Sequence, residues 1–542
     1  MHVPRSDDPR NTTLHGLLRA QAEAIPDAPY LLVDDAHVSY AGVAARAHAW
    51  AAALRRLGVG RGDPVAFLVR SCPDLVYATF GCLELGAIWI PTNPDYRGAW
   101  LRESLEDAAA RVLVVDAELA PRVAELDDDL PFEHCIARGP AQALVDAGLP
   151  RPAFTAAEIE AAAPSAAAPD DPGTRAGDTA CVLWTSGTTG RAKGVMQSHR
   201  AWIRGATSGA EQSGIRAGDV LYGCLPMHNS AAWVAHVYRA LVTGVPLGLD
   251  PAFSVQAFWE RCRHYGATQI LTLGTMHLYL WQAPEHPRDR QHRVRHASCI
   301  PMPEALIEPF KKRFGLQTLD QGYGQSEVLG MLQQRNDGRP RKPGSLGQPV
   351  AGVEVALLDD QDREVPAGEV GELCCRPTEP FALFSGYWRN PEATLAAFRN
   401  LWYHTGDLGR RDADGDWFFV DRKADYIRHK GRNISSFEVE CAFAAHAAVA
   451  EAAAIGVPVP ELASEAELMV FVTLRPGASA TPEELARFVN QTAPYFFVPR
   501  WLEQVDELPH TPTGRIQKYK LRQRGVGPAT WDAVRAGFEI AR

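Results

Sequence analysis

The sequence lacks an apolar segment that is long enough to cross a membrane or to act as a secretion signal. Its first residues, MHVPRSDDPRNTTLHG, contain no apolar core, so no signal peptide is predicted. The longest apolar-looking stretch, Val76 to Pro91, is interrupted by Glu84 and Gly86. A membrane helix needs about 20 predominantly apolar residues. This stretch is therefore predicted to form a helix, a turn and a strand.

The sequence also lacks the cysteine patterns of metal or disulfide frameworks. Its ten cysteines include no CxxC pair and no zinc-finger spacing. Cys374 and Cys375 are adjacent and would lie on opposite faces of a strand. The pattern favours free, mostly buried thiols in a reducing cytoplasm.

An excess of positive charge is missing as well. The formal net charge is -10, which argues against nucleic acid as a partner because nucleic-acid binding needs a basic face. Hydrophobic content of 46% and charged content of 22% are typical of a soluble globular protein. A chain of 542 residues is too long for one ordinary core, so at least two domains are expected.

Two textures divide the chain. Short apolar runs (PVAFLV, RVLVVD, ACVLW, TQILTL, VEVALL) alternate with helical patterns such as TLHGLLRAQAEA and AGVAARAHAWAAALRRLG, which predicts α/β layers. Residues 139–177 are rich in Ala, Pro and Asp and are predicted to be a surface segment without a strong strand. After about Asp421, segments such as GRNISSFEVECAFAAH and ELMVFVTLRP indicate a small α+β module. The predicted domains are residues 1–421 and 422–542.

The stretch TSGTTGRAKG, from Thr185 to Gly194, follows the apolar run ACVLW. Its glycines would let backbone N–H groups turn toward an anion, its hydroxyls add donors, and Lys193 adds positive charge. It is not a Walker loop, because Lys193 is followed by Gly194 and not by Ser or Thr. From these residues alone, a phosphate cradle and a plain flexible turn remain equal alternatives.

The stretch DQGYGQSE, from Asp320 to Glu327, places Tyr323 between two glycines. A tyrosine with unhindered backbone on both sides can present its ring to a planar base. Ser326 and Glu327 offer oxygen ligands of the kind that Mg²⁺ prefers. The alternative is a tight turn that opens a helix, with Ser326 as its cap and Glu327 in its first turn.

Three further stretches carry charge at turns. In WYHTGDLG, Asp407 is predicted in a loop, where a carboxylate can accept the hydroxyls of a ribose; an ordinary strand–turn aspartate is the alternative. DRKAD, followed by Gly431, lies at the join of the two textures. LPHTPTGRIQKYK contains Arg515 and Lys518, and a solvated basic tail is its alternative interpretation.

The order of these five stretches resembles the adenylate-forming superfamily, which includes acyl-CoA synthetases, luciferases and adenylation domains of peptide synthetases. The resemblance covers the chain from about Leu14 to Arg522. Within it, SCIPMPEALIEPFKKRFG and GRNISSFEVE look most like the carnitine-CoA ligase-like branch. The resemblance implies a large N-terminal α/β domain of layered sheets and helices and a small, mobile α+β C-terminal domain.

The resemblance also implies a two-step reaction. A small-molecule carboxylate attacks the α-phosphate of ATP and gives acyl-AMP and pyrophosphate, and a thiol, usually that of coenzyme A, then displaces AMP. Carried over, Ser326 would touch the α-phosphate, Glu327 would hold Mg²⁺, and Asp407 with Arg422 would bind the ribose. Tyr323 would stack on adenine with Gln321 and Gly322 at its edge, and Gly431 would lie on the loop of the thiol tunnel. The phosphate loop would comprise Thr185, Ser186, Gly187, Thr188, Thr189, Gly190 and Lys193.

The chain departs from the family pattern at three places. The least consequential is the hinge position in DRKAD, where Ala424 replaces the Lys or Asp of many relatives. The lysine that usually follows Gly514 and bridges the carboxylate and the α-phosphate is Arg515 here, a planar fork and not a point charge. Either Arg515 or Lys518 is predicted to supply the cation. Relatives usually have two glycines where this chain has Ala297 to Cys299, which favours a small or polar acid over a long fatty chain. The predicted pocket residues are His228, Trp233, Met276, Cys299, Ile300 and Gly324.

Several alternatives remain open from the sequence. The acceptor of the activated acid is coenzyme A, a carrier-protein thiol or an amine, and a related chemistry activates nitrite. A non-catalytic nucleotide or ligand sensor is a further class, supported by Arg515 and opposed by the otherwise intact motifs. Family members are monomers or homodimers. His292 and His296 in HRVRH lack the glutamate of a zinc-protease helix and are predicted to lie on a solvated basic face.

Overall fold

The computed structural model describes residues 2–4, 9–126, 130–170, 172–185, 192–273, 276–302, 304–334, 342–422, 426–429, 432–459, 462–509, 516 and 518–541. Helices and strands alternate through the first 320 residues, and antiparallel strands dominate afterwards. The helices are α1 Leu14–Ala24, α2 Tyr40–Arg56, α3 Pro73–Glu84, α4 Gly98–Ala108, α5 Ala120–Ala124, α6 Ala141–Asp146, α7 Ala156–Ala162, α8 His199–Gln212, α9 Ser230–Ala232, α10 Tyr238–Thr243, α11 Phe258–Tyr265, α12 Met276–Gln282, α13 Glu304–Phe314, α14 Pro391–Ala397, α15 Ser436–Ala444, α16 Pro482–Thr492 and α17 Lys518–Arg524. The strands are β1 Pro29–Val33, β2 Ala36–Ser39, β3 Pro64–Leu68, β4 Ile88–Pro91, β5 Val112–Asp116, β6 His134–Arg138, β7 Phe154–Thr155, β8 Thr179–Thr185, β9 Lys193–Ser198, β10 Leu221–Gly223, β11 Leu247–Leu249, β12 Gln269–Leu273, β13 His296–Ile300, β14 Thr318–Asp320, β15 Gly322–Tyr323, β16 Leu332–Gln333, β17 Ser345–Pro349, β18 Val353–Leu358, β19 Val370–Pro377, β20 Gly386–Tyr387, β21 Phe398–Arg399, β22 Trp402–Arg411, β23 Trp417–Arg422, β24 Tyr426–His429, β25 Arg432–Ser435, β26 Val449–Val459, β27 Leu462–Leu474, β28 Trp501–Gln504 and β29 Trp531–Asp532.

Three large sheets form the first part of the chain. A seven-stranded sheet has the order β14-β13-β12-β10-β11-β1-β2 and is parallel except at β2. An eight-stranded sheet has the order β20-β9-β8-β4-β3-β5-β6-β7 and is antiparallel only around β9. The third sheet, β15-β16-β17-β23-β22-β19-β18 with β21 at its side, is antiparallel throughout. Buried parallel strands explain the continuous apolar runs of the sequence.

The largest hydrophobic core lies between the two mainly parallel sheets and the helices that separate them. Its bulkiest members include Trp50, Trp89, Trp202 and Trp233, each almost fully buried. Helix α1 begins where the Thr13 hydroxyl accepts a hydrogen bond from the backbone N–H of Gly16 at 3.2 Å. The helix and strand predicted at Val76 to Pro91 are α3 and β4, as expected.

The C-terminal part has its own core. Strands β26 to β29 form a four-stranded sheet, and helices α15 and α16 pack their apolar sides against it. Trp100 on α4, in the first part of the chain, also packs against this core, and its ring meets Phe497 edge-on at 5.4 Å. The predicted α+β character of this module is therefore confirmed.

Two sequence expectations were wrong. Residues 139–177 are not simply a surface segment, because α6, β7 and α7 bury Leu144 and Ile159, and β7 extends the second sheet beside β6. His292 and His296 do not lie on a solvated face. His292 stacks on Trp259 at 4.5 Å, and His296 is buried on β13 beside Asp320. Both rings contact residues of other elements, Trp259 on α11 and Asp320 on β14, which the charge pattern of the sequence does not reveal.

The cysteine and membrane expectations agree with the structure. All ten cysteines lie in the described ranges, and the nine whose side chains are described are free and buried. Cys374 and Cys375 on β19 join two different hydrophobic clusters, on opposite faces of the strand. Across the described ranges, no helix combines the length and the apolar character that a membrane crossing requires.

Candidate functional site

The candidate site begins where parallel strands β12, β13 and β14 end side by side. Ser298 on β13 is the direct neighbour of Asp320 on β14, and the chain then runs through Gln321 into the short strand β15. Ligand sites in α/β sheets form at the carboxyl ends of the strands. A Cβ on Gly322 would lie 2.8 Å from the backbone oxygen of Leu332, so the close pairing of β15 with β16 requires glycine. The turn therefore presents Tyr323 at the edge between two sheets.

Glu327 follows this turn in a bend and not in a helix, which removes the helix-cap interpretation of Ser326 and Glu327. Its carboxylate is buried and accepts a hydrogen bond from the hydroxyl of Tyr387 at 3.0 Å. Burial raises the pKa of Glu327, whereas the Tyr387 hydrogen bond and the charge of Lys193 oppose that shift. A buried carboxylate with a cation nearby is a suitable ligand for Mg²⁺, whose preferred ligands are oxygens.

Lys193 opens β9, at the end of the predicted phosphate loop. Its Nζ lies over the ring of Tyr387, 5.0 Å from the centroid. The two strands that flank the loop are paired: Thr185 on β8 lies opposite Lys193 on β9, and the Thr185 hydroxyl donates to the Lys193 carbonyl at 3.3 Å. Ser186, Gly187, Thr188, Thr189 and Gly190 lie outside the described residues.

Ser326 is fixed by two polar neighbours that the sequence did not suggest. The Gln197 side chain on β9 donates to the Ser326 carbonyl, and the hydroxyls of Ser326 and Ser230 are 3.2 Å apart. We call the paired strands β8 and β9, which flank the phosphate loop, its stem. Ser326 thus contacts the stem through Gln197 and contacts α9 through Ser230. The predicted loop and the predicted α-phosphate contact are thus brought together.

Asp407 lies within strand β22 and not in a loop, which corrects the sequence expectation. Its neighbour across the sheet on β23 is Arg422, the other predicted ribose residue. Only the backbone of Arg422 is described. Asp407 Oδ2 accepts from the hydroxyl of Tyr323 at 2.5 Å and from the Gln325 amide at 2.9 Å. The hydroxyl of Tyr403 holds Gln325 in turn, at 2.7 Å. Tyr323, predicted to contact adenine, and Asp407, predicted to bind ribose, therefore form one hydrogen-bonded group with Gln325, called the Asp407 group below.

A second polar network contacts the backbone next to Asp407. Glu372, Cys374 and His404 place their donor atoms within 4.8 Å of one another. Glu372 accepts from the backbone N–H of Gly406 at 3.0 Å, which fixes the residue before Asp407. The guanidinium of Arg399 lies 3.3 Å from His404 Nδ1, the same nitrogen that faces Glu372 and Cys374. These contacts describe the group as a polar network that supports the backbone at Gly406.

The predicted pocket residues divide into two groups. Trp233 and Cys299 are fully buried: the Trp233 indole N–H donates to the Met227 carbonyl at 2.7 Å, and Cys299 accepts from Thr272 at 3.3 Å. They back the pocket in this structure without offering surface to a ligand. The others keep part of their surface exposed near the strand ends, and they are His228, Met276, Ile300 and Gly324.

A stripe of partly exposed residues runs down the helical segment from Ser230 to Thr243. Ser230, Ala231, Val234 and Arg239 keep exposed surface where the rest of the segment is buried. The stripe thus leads from the Ser326 contact to a cation. Burial lowers the pKa of Arg239 to about 10, and its Nε is buried without a hydrogen-bond partner.

Polar groups surround Arg239. Asp320 interacts with it electrostatically and lies 3.2 Å from His296 Nε2, and His236 is buried with neither ring nitrogen hydrogen-bonded. Burial, together with the charge of Arg239, lowers the pKa of His236 to about 3, so this imidazole is neutral. Unsatisfied buried polar groups are rare in native proteins. Arg239, His236 and Asp320 thus bring buried polar atoms together at the Arg239 end of the stripe.

The predicted cations of the C-terminal module have different outcomes. Lys518 Nζ lies 2.7 Å from Glu440 and 2.6 Å from the Ser436 hydroxyl, so it joins α17 to α15. Arg515 and Gly431 lie outside the described residues. Of the two cations proposed for adenylation, Lys518 is already paired in this arrangement.

Gly194 on β9 allows close packing of the stem against neighbouring side chains. A Cβ there would lie 2.6 Å from Val182 Cγ1 and 3.0 Å from Trp388 Cβ, so the stem would have to shift. We expect Gly194→Ala to lower the free energy of unfolding by about 1–3 kcal/mol, as overpacking does, and to slow pyrophosphate release. Thermal unfolding and a pyrophosphate assay measure the two effects. Gly527→Ala is the control because nothing lies within 4 Å of its added carbon; equal behaviour of both variants would contradict the prediction.

Sequence reasoning missed Gln197, Gln325, Tyr387, Arg239 and Ser230. Gln325 stands inside the quoted stretch DQGYGQSE but was given no role there, and the other four stand outside the five quoted stretches. Each acts through partners that are far away in the chain. The GYW segment that contains Tyr387 offered one signal, an aromatic residue after a glycine near a turn. That signal does not identify Glu327 and Lys193 as its partners.

Comparisons with known proteins agree with this geometry. The model of the AMP-binding enzyme family matches residues 18–388, and that of the AMP-binding enzyme C-terminal domain matches residues 438–515. A crotonobetaine/carnitine–CoA ligase from Salmonella typhimurium is 31% identical over 492 residues, covering 89% of this chain and 93% of the relative. A ligase of the same description from Citrobacter koseri is 32% identical over 473 residues, covering 86% of this chain and 89% of its own.

Solved structures share the fold over almost the whole chain. The o-succinylbenzoate CoA synthetase from Bacillus subtilis superposes with a TM-score of 0.78 at 24% identity, covering 94% of this chain and 98% of its own. An amide bond synthetase from Marinactinospora thermotolerans superposes with a TM-score of 0.79 at 26% identity, covering 94% and 100%. The matches confirm the adenylate-forming fold predicted from the motifs and its resemblance to carnitine–CoA ligases. The chain belongs to the AMP-binding enzyme family, as an AMP-forming ligase of the acyl-CoA synthetase type.

Proposed function

We propose that this chain uses ATP to activate a small or polar carboxylic acid as an acyl adenylate and transfers the acyl group to the thiol of coenzyme A. The observation that carries the proposal is the convergence of Lys193, Glu327 and Ser326 at one edge of the sheets. Tyr387 and Gln197 hold these residues together. Positive charge, a metal-binding carboxylate and a hydroxyl are the groups that phosphoryl chemistry needs.

In the first step, a carboxylate oxygen of the acid attacks the α-phosphorus and the bond to pyrophosphate breaks. Lys193 and the loop before it would stabilise the charge on the leaving pyrophosphate, and Ser326 would hold the α-phosphate. Mg²⁺ held by Glu327 would supply further positive potential at the phosphates. In the second step the thiol sulfur attacks the acyl carbon, AMP leaves, and the thiol proton passes to solvent.

Nucleotide binding requires the Asp407 group to open. Asp407 is buried beneath Tyr323 and Gln325, so ribose hydroxyls reach it only if Tyr323 turns away. The turning ring would then be available to stack on adenine. Gln321 would act indirectly, because its side chain already accepts from the Met302 backbone at 2.9 Å. Gln321 would hold the segment after β13, which includes Met302, beside β15.

The polar end of the helical stripe supports a small or polar acid. Arg239, His236 and Asp320 would be left unsatisfied beside a long hydrocarbon chain, which is costly in a buried site. We also propose that the two domains meet at residues 421 and 422, which the end of strand β23 at Arg422 supports. The nine buried, free cysteines support a cytoplasmic location.

The acceptor has one serious alternative. The likeness to an amide bond synthetase, at 26% identity, favours an amine acceptor as a second candidate. Both candidates share the adenylation step and differ only in the nucleophile that displaces AMP. A carrier-protein thiol would use the same second step as coenzyme A.

A series of acids tests the proposed acid class. Pyrophosphate release is measured with ATP and Mg²⁺ for saturated acids from acetate to palmitate, and for short acids that carry a hydroxyl, amino or second carboxyl group. We expect the highest kcat/KM among the short, polar members, because Arg239 and its neighbours would regain hydrogen bonds. The proposed acid class is wrong if palmitate is the best substrate.

A further inference from the structure

Tyr387 contacts two groups of the candidate site that come from different parts of the chain. Its hydroxyl donates to Glu327 Oε1 at 3.0 Å, and its ring lies beneath Lys193 Nζ at 5.0 Å. The side chain is 7% exposed, so both contacts are made in a mostly water-excluded place. One residue thus connects the candidate metal carboxylate with the candidate phosphate lysine.

The backbone around Tyr387 makes the same connection. The N–H of Phe384 donates to the Glu327 carbonyl at 3.0 Å, and the N–H of Trp388 donates to the Gly194 carbonyl at 2.7 Å. Strand β20 also pairs with β9, with Tyr387 beside Val195. The segment from Phe384 to Trp388 is therefore fixed to both the turn that holds Glu327 and the stem of the phosphate loop.

We propose that Tyr387 is a positioning residue that sets the distance between Glu327 and Lys193, so that one metal–triphosphate unit is held at both ends. The inference rests on the proposed function, because it assumes that Glu327 holds Mg²⁺ and Lys193 holds phosphate. The hydroxyl orients the carboxylate, and the ring face limits the positions of the ammonium group. The hydroxyl and the ring of Tyr387 thus position two protein groups that would bind the same metal–nucleotide substrate.

The two contacts can be separated by substitution. Tyr387→Phe keeps the ring beneath Lys193 and removes only the hydroxyl. Tyr387→Leu removes both contacts. Tyr40→Phe is a matched control, since Tyr40 is also buried and its hydroxyl donates at 2.9 Å to the Ala240 carbonyl, which keeps a second donor in Gly244.

Binding of ATP measured by calorimetry, with Mg²⁺ and with EDTA, gives a readout that does not depend on the acid substrate. For Tyr387→Phe we expect the Mg²⁺-dependent gain in ATP affinity to fall about tenfold, the scale of a hydrogen bond to a charged group. Affinity in EDTA stays within about twofold, since the cation–π contact of the ring is retained. Tyr387→Leu additionally weakens ATP binding in EDTA by about three- to fivefold. Tyr40→Phe matches the wild type in both conditions.

Three outcomes overturn the proposal. The first is a Mg²⁺-dependent gain that is unchanged in Tyr387→Phe. The second is an equal loss with and without Mg²⁺ in both Tyr387 variants, which indicates general distortion of the site. The third is wild-type protein that binds no ATP in either condition, and this result refutes the proposed function together with the inference. Circular dichroism confirms beforehand that Tyr387→Phe folds like the wild type.

Discussion

Glu327→Gln is expected to slow acid-dependent pyrophosphate release by about 100-fold or more, which is the scale of losing one group that stabilises transition-state charge. Glutamine has nearly the same shape and can still accept from the Tyr387 hydroxyl through its amide oxygen. The change therefore removes the negative charge with little repacking. Without that charge, Mg²⁺ would be held weakly at the phosphates. Initial rates at a series of Mg²⁺ concentrations measure the effect.

The control for this substitution is Glu84→Gln. Glu84 is also fully buried, and it is paired with His48 at 2.8 Å in the first hydrophobic core, far along the chain from the site. We expect Glu84→Gln to keep the rate per folded molecule even if its unfolding temperature falls. A Glu327→Gln enzyme with wild-type rate at every Mg²⁺ concentration would show that Glu327 is not the metal ligand.

Arg515→Ala is expected to reduce adenylate formation by about 100-fold, because a cation that meets the developing charge contributes on that scale. Arg515→Lys should retain most of the activity, since it restores the residue usual in the family. Lys518→Ala should instead lower the free energy of unfolding by about 1–3 kcal/mol, because it breaks a partly buried ion pair with Glu440. Its adenylation rate per folded molecule should change less than about fivefold.

Isotope exchange between ATP and pyrophosphate isolates this first half-reaction, and thermal unfolding reports the stability of each variant. The structure favours Arg515 over Lys518 only because Lys518 is already paired with Glu440 and Ser436. A large loss of exchange in Lys518→Ala, with normal exchange in Arg515→Ala, would reverse the assignment. Normal exchange in both would remove the C-terminal module from this step.

Local patterns predicted the elements well where burial decides them. The runs PVAFLV, RVLVVD, ACVLW, TQILTL and VEVALL are all strands, and the two long amphipathic patterns are helices α1 and α2. Short, continuous apolar runs bounded by turn residues are consistent with buried strands, both in the two mainly parallel sheets and, for VEVALL, in the antiparallel sheet. Residues 139–177 failed for the opposite reason. Leu144 and Ile159 join hydrophobic clusters whose other buried members come mostly from elsewhere in the chain.

The candidate site was predictable only as separate stretches. Gly-rich turns and isolated acids identified Lys193, Tyr323, Glu327 and Asp407, but not how they are joined. Their connections depend on Tyr387 and on Gln325, whose partners Glu327 and Asp407 are distant in the chain. Asp407 was expected in a loop, yet strand β22 continues through it, since Gly406 takes a positive φ of 75° within the strand. A sequence pattern does not show that such a residue is paired across a sheet.

We propose that this chain cleaves ATP to AMP and pyrophosphate as it activates an acid for transfer to a thiol. The most direct measurement is mass spectrometry of the products formed from ATP and Mg²⁺ with a panel of small carboxylic acids and nitrite, with and without coenzyme A. We predict AMP and pyrophosphate in equal amounts with at least one acid, together with its coenzyme A thioester when the thiol is present. Formation of ADP and phosphate, or the absence of pyrophosphate from ATP-bound protein with every acid, would contradict the account.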